Sequence, residues 1–281
     1  MPKSSADLDI SVISENIKDL KIMKLWYIAL WINHYQYSGI DDKFGNKFDY
    51  NSRFVNNYIS RQVRNYNVTT INRNTISVTL SKTVNRNEVR MSAHDTIISV
   101  ELKTTDQELE AYSRMTKADQ CEFYLKKLEQ GYELAHSICD FDISKLINIH
   151  NQFRALDYKN EWQFKKKAIK QYGIIVSLEC SFTYSEFNLF LSVYDEKTRK
   201  LIERKSVYKT FPDEIFYSKS LRKTLFEEER LLILNFLNKP VCEFYYRDLA
   251  KGNIIVNILN QSDAKNQYNE KNYKEFDWIK Y

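Results

Sequence analysis

Apolar residues recur along this chain with two periods, and the changes of period mark the predicted elements. Over residues 50–65, Phe54, Val55, Tyr58, Ile59 and Val63 share one helical face, with Asn51 placed to cap the start. Over 75–81 and 98–103 the period falls to two. Ile76, Val78 and Leu80 alternate with Thr75, Ser77, Thr79 and Ser81, and Ile98, Val100 and Leu102 with Ser99, Glu101 and Lys103. Such alternation predicts strands with one buried and one wet face. From Thr116, which forms a capping pattern with Asp119, apolar positions return at steps of four and three: Cys121, Leu125, Leu128, Tyr132, Ala135 and Cys139. Lys126, Lys127, Glu129 and Glu133 fall on the other side, which makes this the best helix of the sequence. A second helix is predicted from Asp142 through Ile143, Leu146, Ile147, His150 and Phe153. A third is predicted from Glu161 to Tyr172, ended by Gly173.

Beyond Gly173 the pattern is that of strands. Ile174, Val176, Leu178, Cys180, Phe182 and Tyr184 alternate with mostly polar neighbours, and Phe187, Leu189, Leu191 and Val193 repeat the pattern. Asp195 to Lys200 is a polar turn into a return strand through Tyr208. Leu231–Leu237 and Val241–Arg247 flank Asn238-Lys239-Pro240 as a hairpin, and Ile254–Leu259 adds a further strand. The expected class is α+β: an N-terminal mixed helix and strand region (1–115), then central helices followed by an antiparallel sheet (116–260), then a polar tail (261–281) containing Phe276 and Trp278. The middle helices are expected to cover the C-terminal sheet.

Composition narrows the chemistry. Only five glycines occur, Gly39, Gly45, Gly131, Gly173 and Gly252, and no two are spaced for a dinucleotide fingerprint or a P-loop. Cys121, Cys139, Cys180 and Cys242 form no C-x-x-C pair and sit in apolar patterns, which suits a reducing compartment and predicts neither metal nor disulfide. The apolar run Ile22–Ile32 is eleven residues long, contains Lys24 and is too short to span a bilayer. With a polar, acid-bearing start, MPKSSADLDI, this predicts a cytoplasmic protein with neither export signal nor membrane contact. The net charge of +5 is uneven: residues 51–90 carry Arg53, Arg61, Arg64, Arg73, Lys82, Arg86 and Arg90 against one acid, Glu88. These arginines are the candidate partner-binding residues, as a solvated basic face or one that steers an acidic protein or nucleic acid.

Three groups invite a catalytic reading. Asp195 followed by Glu203-x-Lys205 has the skeleton of a metal-dependent PD-(D/E)xK nuclease, but Pro212-Asp213 follows the E-x-K where that motif needs it to precede. The histidines, His34, His94, His136 and His150, have no metal-ligand spacing, although His136 and His150 lie on neighbouring predicted helices and can meet. Trp162, Phe164, Lys165, Lys166, Lys167, Lys170 and Tyr172 mix bases with aromatics as single-stranded nucleic acid sites do, but on a helix the aromatics would face the core and the lysines water. None is taken as a catalytic or metal site, and no cofactor is expected.

Two stretches carry a resemblance. NEWQFKKKAIKQYG (160–173) running into IIVSLECSFT, and FPDEIFYSKSL (211–221) followed by LLILNFLNKPVCEFYYRDL (231–249), are similar to bacterial proteins of this size associated with immunity functions in polymorphic-toxin and type VI secretion loci. The similarity covers residues 120–250 and carries no catalytic motif. It implies a cytoplasmic immunity protein that neutralises a cognate toxin or effector by stoichiometric capture. Immunity proteins against nuclease toxins are often acidic and this chain is net basic, which points away from a nuclease target. The alternatives are a nucleic-acid-binding protein using the 51–90 and 162–172 bases, and the Asp195/Glu203/Lys205 nuclease.

Overall fold

The computed structural model describes residues 21–33, 42–91 and 96–258. The N-terminal decapeptide, His34, His94 and the polar tail lie outside them. The fold is α+β. Its contacts divide the chain into two units, one of residues 1–31 and 59–152, the other of residues 32–58 and 153–281.

In the first unit, strands β1 (Ile22–Lys24) and β3 (Thr69–Ile71) form an antiparallel ribbon. β2 (Tyr27–Ile32), β4 (Thr75–Ser81), β5 (Glu88–Met91) and β6 (Ile97–Lys103) form a sheet of order β2-β4-β6-β5. The two alternating segments legible in the sequence, β4 and β6, pair in parallel, with Ile76, Val78 and Leu80 beside Ile98, Val100 and Leu102 and all six buried. Helix α1 (Asp42–Asn65) starts well before the predicted Asn51 cap, and its last turns belong to this unit. Ser60 Oγ, on α1, accepts from Ile28 N and donates to Ile28 O, each at 3.0 Å, which satisfies a fully buried strand residue.

Helix α2 (Asp106–Ser113) was not predicted, although its signal is plain: Thr105 and Glu108 form a reciprocal capping box. Helix α3 (Lys117–His136) is capped by Thr116 as predicted, and every apolar residue of its predicted stripe is buried. Its contacts are with β4 and β6 of the N-terminal sheet, which overturns the expectation that it covers the C-terminal one. Gly131 permits the approach: a Cβ there would fall 2.4 Å from Val78 Cγ2. Lys127, predicted on the wet side, is buried and pairs with Glu108 at 2.9 Å. Burial raises the Glu108 pKa, but the Lys127 and Thr105 hydrogen bonds outweigh it and hold the carboxyl below its ordinary value. Helix α4 (Ile143–Ala155) follows as predicted.

Among the described residues the second unit holds two sheets. β7 (Asn160–Ile169), β8 (Ile174–Phe182), β9 (Phe187–Asp195) and β10 (Leu201–Thr210) form an antiparallel meander. β7 corrects the predicted third helix. Trp162 and Phe164 alternate along a strand paired with β8 from Asn160↔Phe182 to Ile169↔Ile174, and Gly173 at φ 63° ends a 3-10 turn between the two strands. Trp162 and Phe164 stand two apart, the strand period, and the ladder to β8 decided the state. The second sheet has the order β11 (Lys223–Phe226), β12 (Arg230–Leu234), β13 (Pro240–Tyr245), β14 (Asn257–Ile258). The predicted hairpin is β12–β13. One core runs through both sheets: Val176, Leu178, Phe182, Phe187, Leu189 and Leu191 cluster with Leu231, Ile233, Val241 and Phe244. The C-terminal meander therefore finds its apolar cover in a second sheet of the same unit. Helices α5 (Glu214–Ser220) and α6 (Tyr246–Leu249) complete the unit.

Candidate functional site

The sequence-predicted groups resolve differently in three dimensions. Arg53 pairs with Asp213 and lies 4.3 Å over the Tyr50 ring. Arg64 donates to Trp26 O at 3.0 Å, and Arg73 to Asn72 O at 2.9 Å. Arg61 is half-buried on α1, Arg86 is exposed between β4 and β5, and Arg90 is exposed on β5 beside its ion-pair partner Glu88. Arg53, Arg61 and Arg64 lie on α1 while Arg73, Arg86 and Arg90 lie on or beside the strands, and Arg53 falls in the second unit while the others fall in the first.

The three residues of the nuclease skeleton, on the neighbouring strands β9 and β10, each have bonds within the fold. Asp195 Oδ1 accepts from Thr198 N and Oγ1 at 2.7 and 2.8 Å, and these bonds hold its carboxyl below the ordinary value. Glu203 accepts from Arg204 N, and Lys205 reaches Ile254 O at 2.9 Å. Among the described residues no three His, Cys, Asp or Glu side chains are grouped to hold a metal ion. His136 packs edge-on to Phe141. His150 is fully buried between Tyr132 Oη, 3.1 Å from Nε2, and Glu129 Oε1, 2.9 Å from Nδ1. A carboxylate takes only a donor, so Nδ1 carries a proton toward Glu129, and in the neutral imidazole Nε2 then accepts from the tyrosine. Burial, and after it the Glu129 charge, push the Tyr132 phenol well above its ordinary value. In the basic stretch Trp162 and Phe164 pack on the core, while Lys165, Lys166 and Lys167 are exposed on β7. Among the described residues β7 has a ladder to β8 alone, and lysines on such an edge discourage pairing with another chain.

One surface of the second unit is built to present apolar side chains, and the sequence reading missed it. Asp213 caps α5 by accepting from Ile215 N at 3.0 Å with one oxygen and binds Arg53 with the other. Asn57 Nδ2 donates to Glu214 Oε2 at 3.1 Å and to Tyr217 Oη at 2.7 Å. The buried Asn160 donates to Asn57 Oδ1 and to Phe54 O, both at 3.1 Å. The Tyr217 ring stacks on Phe187 at 4.0 Å and 11° and stands edge-on to Phe182. The inner side of α5 is thus held by polar bonds and ring contacts. Its outer side carries Ile215, 58% exposed, and Phe216, 37% exposed.

The β12–β13 turn lies against the same helix. Phe236 N donates to Lys219 O at 2.8 Å. The buried Asn235 accepts from Leu237 N and Lys239 N, each at 3.0 Å, and Asn238 takes φ 58°, a left-handed conformation that asparagine tolerates. This fixed turn holds out Phe236 and Leu237, each 57% exposed. An Asn at both ends of a four-residue turn, with Phe-Leu between, was the available signal; it is easily read as a continuation of the apolar strand.

No family model, curated protein or solved structure matches this chain. Among the described residues no helix is long and apolar enough to cross a membrane.

Proposed function

We propose that this protein is a cytoplasmic immunity-type binder that neutralises a cognate toxin or effector domain by stoichiometric capture. The observation that carries this reading is the exposed quartet Ile215, Phe216, Phe236 and Leu237, mounted on a helix and a turn whose inner contacts are fixed. Large apolar side chains held rigidly in water are what interface anchors look like, and rigidity lowers the ordering cost of binding. The stretches that carry the immunity-type resemblance, 211–221 and 231–249, contain all four residues. Groups with catalytic potential have internal partners: His150, Asp195, Glu203 and Lys205 each bond within the fold. Inhibition at cellular concentrations needs a dissociation constant of roughly nanomolar or below, about −12 kcal/mol.

The test is protection. Cells expressing the toxin encoded beside this protein should survive when the protein is present. Phe236→Asp with Leu237→Asp should abolish survival without lowering the melting temperature. The double variant Asp195→Ala, Glu203→Ala should protect fully. If that folded variant loses protection, the activity depends on those carboxylates and the capture reading falls.

A further inference from the structure

We infer that the α5 and β12–β13 surface takes an acidic protein segment with an apolar centre; this rests on the capture reading above and names its partner's chemistry. Four exposed cations lie in the stretches of chain that carry the quartet or are bonded to them: Lys219 at the end of α5, Arg222 just before β11, Lys223 at its start, and Lys239 in the turn. Backbone bonds place them together. Lys219 O accepts from Phe236 N, Arg222 N donates to Leu234 O, and Lys223 pairs with Leu234, the residue before the turn. The acids of the same region are turned inward, Asp213 to Arg53 and Glu214 to Asn57. The acidic run Glu227, Glu228 and Glu229 lies at the opposite end of β12, in the β11–β12 connection. Four residue steps of about 3.3 Å put it roughly 13 Å away. That exceeds the Debye length of about 8 Å at physiological salt, so the acids hardly cancel the cations at the quartet.

An apolar centre within a basic rim selects against basic partners by charge and against purely polar polyanions by the desolvation of Phe236 and Leu237. It fits a helix or loop with leucine or aromatic residues at its centre and Asp or Glu around them. The basic character read from residues 51–90 thus has a counterpart at another place, on residues 219–239, beside the anchors it would serve.

The probes are two fluorescein-labelled amphipathic peptides of Leu and Phe, one with Glu and Asp at its polar positions and a twin with Lys there, titrated with the full chain. The acidic peptide is expected to bind at least about tenfold tighter than its twin and to weaken at least about tenfold from 0.01 to 0.3 M salt. Lys219→Glu with Lys239→Glu should remove that preference, and Phe236→Ala with Leu237→Ala should weaken both peptides. Equal binding of the twins, lost in the Phe236/Leu237 variant, would overturn the acidic partner while leaving the apolar surface standing. Binding that neither variant changes, or no binding, would overturn the surface itself. A uridine oligonucleotide that outcompetes the acidic peptide would make the partner a nucleic acid and overturn the inference. Circular dichroism and melting temperatures matching the parent chain certify that each variant is folded.

Discussion

Gly131→Ala should destabilise the protein, although alanine is the better helix former. On propensity alone the change gains about 1 kcal/mol in the interior of α3. The structure opposes it: the new methyl carbon would lie 2.4 Å from Val78 Cγ2 and 3.2 Å from Cγ1. Carbon atoms pack best at about 3.5–4.0 Å, so the nearer contact is more than an ångström too close. Val78 is fully buried on β4, which is flanked by β2 and β6, and a β-branched side chain has little rotamer freedom. Overpacking of this kind costs about 1–3 kcal/mol, and the rigid neighbour puts this case in the upper half. The net expectation is a loss of about 1–2 kcal/mol. Urea melts of the full chain, followed by circular dichroism, read it directly. Val78→Ala alone should cost at least about 1.6 kcal/mol, for two buried carbons at about 0.8 each. The double variant should cost less than the sum of the two by at least about 1 kcal/mol, because the methyl introduced on α3 then fills space that Val78 vacates. A Gly131→Ala protein as stable as the parent or more so would refute the close helix–strand approach.

Leu128→Ala, in the buried stripe of α3, should cost about 2–5 kcal/mol, and a change below about 0.5 would place that helix at the surface. Tyr132→Phe should cost about 1 kcal/mol at neutral pH through the lost hydrogen bond to His150. Its pH signature has a definite sign. The folded phenol holds its proton above the unfolded value near 10, so its contribution is complete below about pH 10 and is lost as pH rises beyond it. The Phe variant should accordingly show a shallower alkaline fall in stability, and an identical fall would remove Tyr132 from the account. Asn160→Ala should cost about 1–3 kcal/mol by stripping Asn57 and the Phe54 carbonyl of a buried donor, a change readable in the same melts.

What depends on neighbours along the chain is legible in the residue pattern. Thr116 caps α3, the Cys121-to-Ala135 stripe is buried, and the alternations of β4, β6, β8 and β9 point their apolar residues inward, because helical and strand periods fix which side chains share a face. The β12–β13 hairpin was legible from Asn238-Lys239-Pro240 for the same reason. Tertiary structure decided the rest. The stretch expected as a helix from Glu161 to Tyr172 forms β7 over Asn160–Ile169 because a ladder to β8 is available to it, and only Lys170–Tyr172 turn as a 3-10 helix. The parallel pairing of β4 with β6, and the choice of that sheet as the bed of α3, depend on partners far away in sequence. Lys127 looked solvated until Glu108 met it from a separate helix, and Arg53 looked like part of a basic face until Asp213, 160 residues on, took its charge. The candidate site follows the same rule. Phe236 and Leu237 read as strand residues, and only the Asn235 turn and its bond to Lys219 leave them in water. Periodicity states which residues lie together on an element; which face is covered, and by what, is set by contacts that close long loops and that no local pattern encodes.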